Sequence, residues 1–379
     1  MRLGIDAREI QDGVYTGIGR PLANFLRYFA ALDNDDICVL FSSRKIPVDF
    51  GPRVVNVVLE EKFTLAWDQW HLPWAIKKMG IDLFYSPYYK IPLIKFCPTV
   101  SAILDLMYLI FEPYQKQLSP LARLYYATLG RLYAHRADKI WTCSVYSKRD
   151  IQRVYGVHDS KITVVPLSVS GIYRRETNPG HIEAMRQEWN INGRYILYMG
   201  NFKAHKNVEN IIHAFAALVP MFPDLKLILA GPKEHTYPRL VKSTQDYHLE
   251  DKVLFPGKIL EHDQPHLLYS GAEVFVMPSL YEGFGLPPAE AMACQTPVVA
   301  SNTTSIPEVV RDAGLLVDPN DVSQIAAAIK RILQEEGLAK DLVKKGLEYV
   351  KEYDEHKTSQ QLYDFFKQTL KEHAPTTHI

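Results

Sequence analysis

Features that define several protein classes are scarce in this chain of 379 residues. No apolar run is long enough to cross a bilayer, and the N-terminus enters a strand at once, with no signal peptide. Lysine plus arginine total 43 and aspartate plus glutamate also total 43, so no excess charge attracts nucleic acid. We therefore expect a cytoplasmic protein with no nucleic-acid partner.

Cysteine is also scarce, and its positions are scattered through mostly apolar segments. The four cysteines are Cys38, Cys97, Cys143 and Cys294. This placement is typical of reduced thiols in a protein core and not of disulfides. No Cys/His cluster has zinc spacing, and no Asp-x-Asp lies in a suitable strand-end loop, so we expect neither a metal nor a cofactor.

The length exceeds what one hydrophobic core usually serves, which predicts two domains. Short runs rich in β-branched residues alternate with helical stretches in both halves of the chain. The strands predicted are Arg2–Ile5, Ile37–Phe41, Val54–Leu59, Leu83–Tyr85, Thr99–Leu104, Ile140–Cys143, Ile162–Val165, Tyr195–Met199, Leu225–Ala230, Val253–Phe255, Val274–Met277, Val298–Ala300 and Gly314–Val317. Such alternation predicts parallel sheets covered by helices, in two doubly wound α/β domains.

A polar stretch near Ser168–Pro179 interrupts this alternation and predicts a domain boundary within residues 168–193. We expect a first domain over 1–175, a second over 176–355 and a C-terminal helix within 356–379. Ligands of doubly wound sheets bind at the carboxyl ends of strands, where loops lead into helices. The sequence therefore predicts a ligand cleft between two facing domains.

The most informative stretch follows the apolar strand Val274–Met277. A glycine loop, Glu282-Gly283-Phe284-Gly285, leads into a helix that opens at Pro287-Pro288. Proline suits a first helical turn, and glycines beside a helix start let backbone amides approach an anion or a sugar hydroxyl. We place Glu290 in the first helical turn, where it and Glu282 can face one cleft.

The string from Glu282 to Glu290 resembles the donor-binding signature of the retaining glycosyltransferases of family 4, which have the GT-B fold. That signature is a Glu, then Gly-Phe-Gly, then a second Glu eight residues after the first. The resemblance implies that Glu290 binds the ribose hydroxyls and that Glu282 lies near the hexose of a nucleotide sugar. The loop residues implied to bind the donor are Gly283, Phe284, Gly285 and Leu286. The alternative is an ordinary helix N-terminus with acidic residues in its first turn.

The donor diphosphate needs cations, and the family places them after the first strand of the second domain. Lys206 matches the family lysine, whereas Asn201 stands where the family usually has an arginine. Lys203 is a candidate for the missing charge, and a solvated basic loop is the alternative for all three residues. After a later strand, Lys258 or Ile259 is implied to line the base pocket through backbone atoms.

The first domain resembles the family more loosely. Its loop after the first strand contains Gly17 and Gly19, which resemble the glycine pair that faces the diphosphate. Leu104 occupies the position where the family commonly has a histidine, while the following Asp105 is kept. Asp105 either orients the acceptor hydroxyl or serves as a loop or cap residue. The resemblance also implies that the last helix returns to the first domain.

The resemblance implies transfer of a hexosyl group to a hydroxyl of a glycan or a lipid-linked saccharide, with retention and without a metal. The Gly-Asn-Phe-Lys-Ala-His-Lys-Asn form resembles bacterial surface-polysaccharide enzymes, which favours GDP-mannose over UDP- or dTDP-linked sugars. Basic and apolar residues over Tyr114–Lys139 suggest peripheral contact with the inner face of the plasma membrane, or alternatively a helix with a solvated basic face.

Two other classes remain open from the sequence. An epimerase on the same architecture rearranges or hydrolyses a donor without an acceptor, and a phosphorylase needs pyridoxal phosphate, for which no residue gives support. A non-catalytic subunit that binds nucleotide sugars is compatible with Leu104 and Asn201 in place of the family's histidine and arginine.

Overall fold

The computed structural model describes residues 1–10, 19–233, 236–260 and 263–373. The chain divides into two compact units. The N-terminal unit comprises Met1–Ser168 and the chain from Glu355 onward, and the C-terminal unit comprises Val169–Asp354. Both units contain a parallel β-sheet with helices, which confirms the predicted α/β class.

The described part of the N-terminal unit contains a seven-stranded sheet in the order β3-β2-β1-β4-β5-β6-β7. Leu3 and Ile5 in the first strand are fully buried, as expected for a parallel strand covered on both faces. The strands are β1 (Arg2–Asp6), β2 (Ile37–Ser42), β3 (Val54–Val58), β4 (Leu83–Ser86), β5 (Thr99–Ala102), β6 (Lys139–Thr142) and β7 (Ile162–Val164).

Helices connect these strands, and one segment changes from α to π and back to α. That segment contains α2 (Thr64–Ala66), a π-turn (Trp67–His71) and α3 (Leu72–Lys78). The other α-helices among the described residues of the unit are α1 (Gly19–Ala31), α4 (Met107–Ile110), α5 (Glu112–Gln117), α6 (Pro120–Arg136), α7 (Val145–Tyr155) and the C-terminal α16 (Glu355–His373), and a 3-10 turn spans Asp159–Lys161.

The C-terminal helix α16 packs on α1 within the N-terminal unit, which confirms that the last helix returns to the first domain. The Phe366 ring meets the Phe25 ring edge-on at 5.5 Å between centroids and lies 5.0 Å from the Tyr85 ring. Lys367 of the same helix forms an ion pair of 2.7 Å with the buried Asp36. Aromatic packing and one ion pair therefore attach α16 to this unit.

The C-terminal unit repeats the same design. Its described residues form a six-stranded sheet in the order β10-β9-β8-β11-β12-β13. The strand order runs outward in one direction from β8 to β10 and in the opposite direction from β11 to β13. Doubly wound sheets bind ligands at such a reversal, which here lies between β8 and β11. The strands are β8 (Tyr195–Met199), β9 (Lys226–Ala230), β10 (Val253–Gly257), β11 (Val274–Met277), β12 (Val298–Ser301) and β13 (Gly314–Val317).

The helices of this unit follow the strands in alternation. They are α8 (Pro179–Glu188), α9 (Val208–Leu218), α10 (Tyr237–Asp246), α11 (Pro265–Gly271), α12 (Leu286–Ala293), α13 (Ile306–Val310), α14 (Val322–Gln334) and α15 (Leu338–Tyr349). Short 3-10 turns span Ala204–Lys206 and Val350–Tyr353. Throughout the described part of the chain, no helix combines the length and apolarity needed to cross a bilayer.

Candidate functional site

The candidate site begins where β8 and β11 end side by side. These two strands pair in parallel, with Ile196 opposite Val274. The chain leaves β8 through Gly200 into the turn that carries Lys206, and it leaves β11 into the loop that carries Glu282. Because both loops start at the carboxyl edge of adjacent strands, residues distant in sequence become neighbours here.

An ion pair joins the two loops. The Lys206 Nζ atom lies 2.6 Å from the Glu282 Oε1 atom, and each side chain is only 11% exposed. A charge pair this far from water is held by close geometry and further hydrogen bonds. The structure thus brings together the lysine and the first carboxylate that the sequence singled out separately.

Hydrogen bonds fix the glycine loop in place. The Leu280 amide donates to the His205 carbonyl at 2.7 Å, which attaches this loop to the one after β8. The Glu282 amide donates to the Thr304 hydroxyl at 3.1 Å. The buried Ser305 hydroxyl lies 2.9 Å from the carbonyl oxygens of both Glu282 and Phe284. The carboxylate of Glu282 is therefore presented by a well-bonded loop.

Helix α12 begins at Leu286, immediately after Gly285, whose φ is +106°. This positive φ favours glycine, and an added Cβ would lie 2.5 Å from the Ile306 Cδ1 atom, so the end of that side chain would have to move. Phe284 is buried against the Tyr353 ring at 5.4 Å, and Gly283 is half-buried. The loop thus places backbone groups, and not the Phe284 side chain, at the start of α12.

Glu290 does not lie in the first turn of α12 as the sequence analysis placed it. The helix starts one residue before the prolines, so Glu290 falls in the second turn. It is 4% exposed, and its Oε2 atom accepts a hydrogen bond of 3.0 Å from the Tyr269 hydroxyl. A buried carboxylate with a partner from α11 has a fixed orientation.

The cations predicted around the diphosphate differ in their surroundings. Lys206 is buried, whereas Lys203 is exposed. The Asn201 side chain accepts a hydrogen bond of 3.2 Å from the Lys203 amide, so it stabilises the local turn. Lys258 is exposed and Ile259 half-buried, just past the end of β10 at the edge of the sheet.

The remaining predicted site residues belong to the N-terminal unit. Gly19 is buried at the start of α1, and Gly17 lies outside the described residues. Asp105 follows β5, and its Oδ1 atom accepts a hydrogen bond of 3.0 Å from the Met107 amide. This hydrogen bond closes a turn just before α4, which begins at Met107. Leu104 beside it is half-buried.

Two opposite effects act on the pKa of Glu282. Burial by itself raises the pKa of Glu282, but the Lys206 ammonium and its hydrogen bond outweigh that effect, and the net pKa lies below the ordinary value. Burial lowers the pKa of the neighbouring His205 to about 4, so this imidazole is neutral at pH 7. The site therefore holds a paired carboxylate and ammonium beside an uncharged histidine.

His205 gives this unit a predicted pH dependence. The unfolded imidazole takes up a proton near pH 6.5, whereas the folded one remains neutral down to about pH 4. Since the unfolded state binds more protons in this window, the stability present above pH 6.5 is lost as the pH falls towards 4. We expect a loss of about 2 kcal/mol between pH 7 and 5.

The measurement compares unfolding of the wild type and of His205→Asn at pH 7 and pH 5. The variant lacks the titrating group. Between pH 7 and pH 5 its free energy of unfolding should therefore fall by about 2 kcal/mol less than that of the wild type. Equal pH dependence in the two proteins would contradict this prediction.

Two family models match the chain over most of its length. The model described as "Glycosyl transferases group 1" matches residues 181–349, and the model described as "Glycosyltransferase Family 4" matches residues 15–170. The chain thus carries two glycosyltransferase domains, one of family 4 followed by one of group 1. The signature loop and the Lys206–Glu282 pair both fall inside the first of these matches.

Relatives of this glycosyltransferase include two bacterial mannosyltransferases. It is 34% identical over 234 residues to O-antigen chain mannosyltransferase B of Escherichia coli, covering 61% of each chain. It is 30% identical over 244 residues to O-antigen chain mannosyltransferase RfbU of Salmonella typhimurium, covering 64% of this chain and 63% of the relative. The glycosyltransferase thus matches slightly more than three-fifths of the length of these curated relatives.

Solved structures with the same fold cover nearly the whole glycosyltransferase. Sucrose-phosphate synthase from Thermosynechococcus elongatus has a TM-score of 0.78 at 22% identity, and the match covers 98% of this chain and 99% of the synthase chain. Anabaena Alr3699/HepE, in complex with UDP and glucose, has a TM-score of 0.76 at 18% identity and covers 97% and 99%. These similarities confirm the GT-B fold.

Several residues that position the site carry no functional signal in the sequence. Tyr269 holds Glu290, and Thr304 and Ser305 hold the glycine loop. The Asn207 side-chain amide donates to the Pro278 carbonyl at 3.2 Å and to the Pro319 carbonyl at 2.6 Å. Only Asn207 lies in a family-like string, the one that starts at Gly200, because contacts between separate loops leave no periodic pattern in the sequence.

Proposed function

We propose that this glycosyltransferase transfers a mannosyl group from GDP-mannose to a hydroxyl of a glycan or lipid-linked saccharide, with retention. The observation that carries the proposal is the Lys206–Glu282 ion pair at the point where β8 and β11 diverge. Mannose is favoured because the two relatives described above are mannosyltransferases. UDP- and dTDP-linked sugars are the alternative donors.

In the proposed complex, Lys206 binds the donor diphosphate. An ammonium has three N–H donors, and the contact with Glu282 takes one of them. The amides of Phe284 and Gly285, at the positive end of α12, bind sugar hydroxyls. Pro287 and Pro288 have no amide hydrogen, so the loop amides must supply the hydrogen bonds to the sugar hydroxyls. Glu290, held by Tyr269, binds the ribose hydroxyls.

The proposed chemistry takes place on one face of the sugar. The bond between the anomeric carbon and the diphosphate breaks, and the acceptor oxygen bonds to the same face of that carbon. The acceptor proton passes to the leaving phosphate oxygen, so no separate protein base is needed. Glu282 stabilises the positive charge that develops at the sugar, in a buried site where a fixed charge has a large effect. We propose that no metal takes part.

The N-terminal unit binds the acceptor in this proposal, with Asp105 beside it. We propose that the enzyme acts in the cytoplasm, in peripheral contact with the inner face of the plasma membrane. None of the four cysteines, all within the described residues, forms a disulfide, which supports a reducing compartment.

A thermal-shift panel with GDP, UDP and dTDP tests the donor. A nucleotide at 100 times its Kd stabilises the protein by about 2.7 kcal/mol, so the preferred one should raise the Tm by several degrees. We expect GDP to give the largest shift in Tm. In a transfer assay, GDP-mannose and a saccharide acceptor should give an α-mannoside, and a chelator should not reduce the yield.

Other results would select an alternative. A larger shift with UDP or dTDP would reject GDP-mannose. Restoration of activity by manganese after chelation would reject metal independence. Donor binding with neither transfer nor hydrolysis would indicate a non-catalytic subunit.

A further inference from the structure

Six large apolar side chains of the N-terminal unit are exposed on the α2–α3 segment and on the nearby loop of Ile94 and Phe96, and we call them the aromatic surface. Their exposed fractions are 76% for Phe63, 66% for Leu65, 61% for Trp70, 45% for Trp74, 47% for Ile94 and 39% for Phe96. Isolated exposed apolar residues need no explanation, but a contiguous group indicates an interaction site.

Ring contacts show that the centre of this group is contiguous. The Trp70 and Trp74 rings lie 6.2 Å apart, and the Trp74 and Phe96 rings lie 5.3 Å apart. Trp70 and Trp74 are four residues apart and therefore share one helical face. Leu72 and Ile76 are buried with the core, so the exposed indoles are not required for packing this segment.

Positive charge accompanies the aromatic surface. The Lys77 Nζ atom lies 5.3 Å from the Trp74 ring centroid and 4.9 Å from that of Phe96. Lys62 and Lys78 are exposed on the same segment. Between residues 62 and 78 the only carboxylate is Asp68, which is buried and bonded to the Arg8 guanidinium at 2.6 Å. Lys62 pairs with the exposed Glu60 at 3.8 Å, whereas Lys77 and Lys78 have no exposed acid on their own segment.

We propose that the aromatic surface docks on the headgroup region of an anionic bilayer. Indole rings favour the interface between water and hydrocarbon, and flanking lysines attract anionic headgroups. The proposal deepens the membrane contact proposed above and assigns it to Trp70, Trp74 and Phe96 instead of Tyr114–Lys139. It does not depend on which sugar is transferred.

Vesicle flotation with matched variants tests the assignment. Phosphatidylcholine vesicles are compared with vesicles that also contain phosphatidylglycerol. We expect the wild type to float with the anionic vesicles. Trp70→Ala/Trp74→Ala should lower the affinity for these vesicles by about tenfold or more, because two rings are lost from the interface. The control Leu121→Ala/Leu124→Ala removes exposed apolar side chains of α6 and should bind within about twofold of the wild type.

Fluorescence gives a second readout that does not depend on how strongly a variant binds. Lipids brominated near the headgroup should quench the wild-type tryptophan emission. Trp70→Phe/Trp74→Phe should still float but lose this quenching, because the three remaining tryptophans are not on the aromatic surface. Transfer to a water-soluble saccharide should be unchanged in both tryptophan variants, which separates this proposal from the proposed function.

Four results would overturn the proposal. In the first, the wild-type protein does not float with anionic vesicles. In the second, the α6 control loses binding but Trp70→Ala/Trp74→Ala does not, and in the third, quenching persists in Trp70→Phe/Trp74→Phe. In the fourth, light scattering shows a dimer that Trp70→Ala/Trp74→Ala dissociates. The last result would assign the surface to a second copy of the chain.

Discussion

Glu282→Gln should reduce the rate of sugar transfer by about 100-fold or more, with a much smaller effect on nucleotide binding. The substitution keeps the size of the side chain and removes one negative charge from a position that is 11% exposed. In such surroundings a fixed charge acts more strongly on a developing positive charge than it would in water. The initial rate with saturating donor and acceptor measures the effect.

The matched control is Glu308→Gln. Glu308 is also an acidic residue of the C-terminal unit, but it lies in the first turn of α13, where a carboxylate favours the helix electrostatically. We expect its substitution to change the rate by no more than about twofold, because a first-turn acid contributes only about 0.3–1 kcal/mol to its helix. An undiminished rate in Glu282→Gln would remove Glu282 from the mechanism.

The sequence predicted the strands well because buried parallel strands are continuous apolar runs. Tyr195–Met199, Val274–Met277 and Gly314–Val317 agree with the structure to the residue. Errors occur at strand ends, where apolar residues continue past the sheet. The strand predicted over Thr99–Leu104 ends at Ala102, although the Ile103 amide still donates to the Trp141 carbonyl at 2.9 Å.

The sequence could also identify which loops carry chemistry, since glycine, proline and acidic residues occur there in a specific string. It could not show that Lys206 and Glu282 meet, because 76 residues separate them and only the strand order brings β8 beside β11. The prediction that Glu290 lies in the first turn of α12 was wrong for a local reason. The positive φ of Gly285 starts α12 before the prolines, and sequence reasoning took the prolines as the start.

The cations differ in a way that composition does not reveal. Lys203 and Lys206 stand three residues apart on one loop, yet one is exposed and the other buried and paired. Asn201, in the usual arginine position, bonds to its own turn. Only the packing around the 3-10 turn makes Lys206 the cation with a fixed position.

Lys206→Met should raise the Kd of the preferred nucleoside diphosphate by about 10- to 100-fold, as a lost hydrogen bond between charged groups costs about 1.5–3 kcal/mol. Lys203→Met on the same loop is the control and should change the Kd by less than about threefold, because an exposed charge is screened by water and salt. Titration calorimetry or the thermal-shift panel measures both constants.

The double variant Lys206→Met/Glu282→Gln separates binding from stability. Each single substitution leaves one buried group without its partner, which costs about 3–5 kcal/mol when the group is charged. The double variant removes both charges, so it should recover much of the lost Tm. It should not recover nucleotide binding, because the diphosphate still lacks its cation. Recovery of both would show that Lys206 acts only by maintaining the fold of the site.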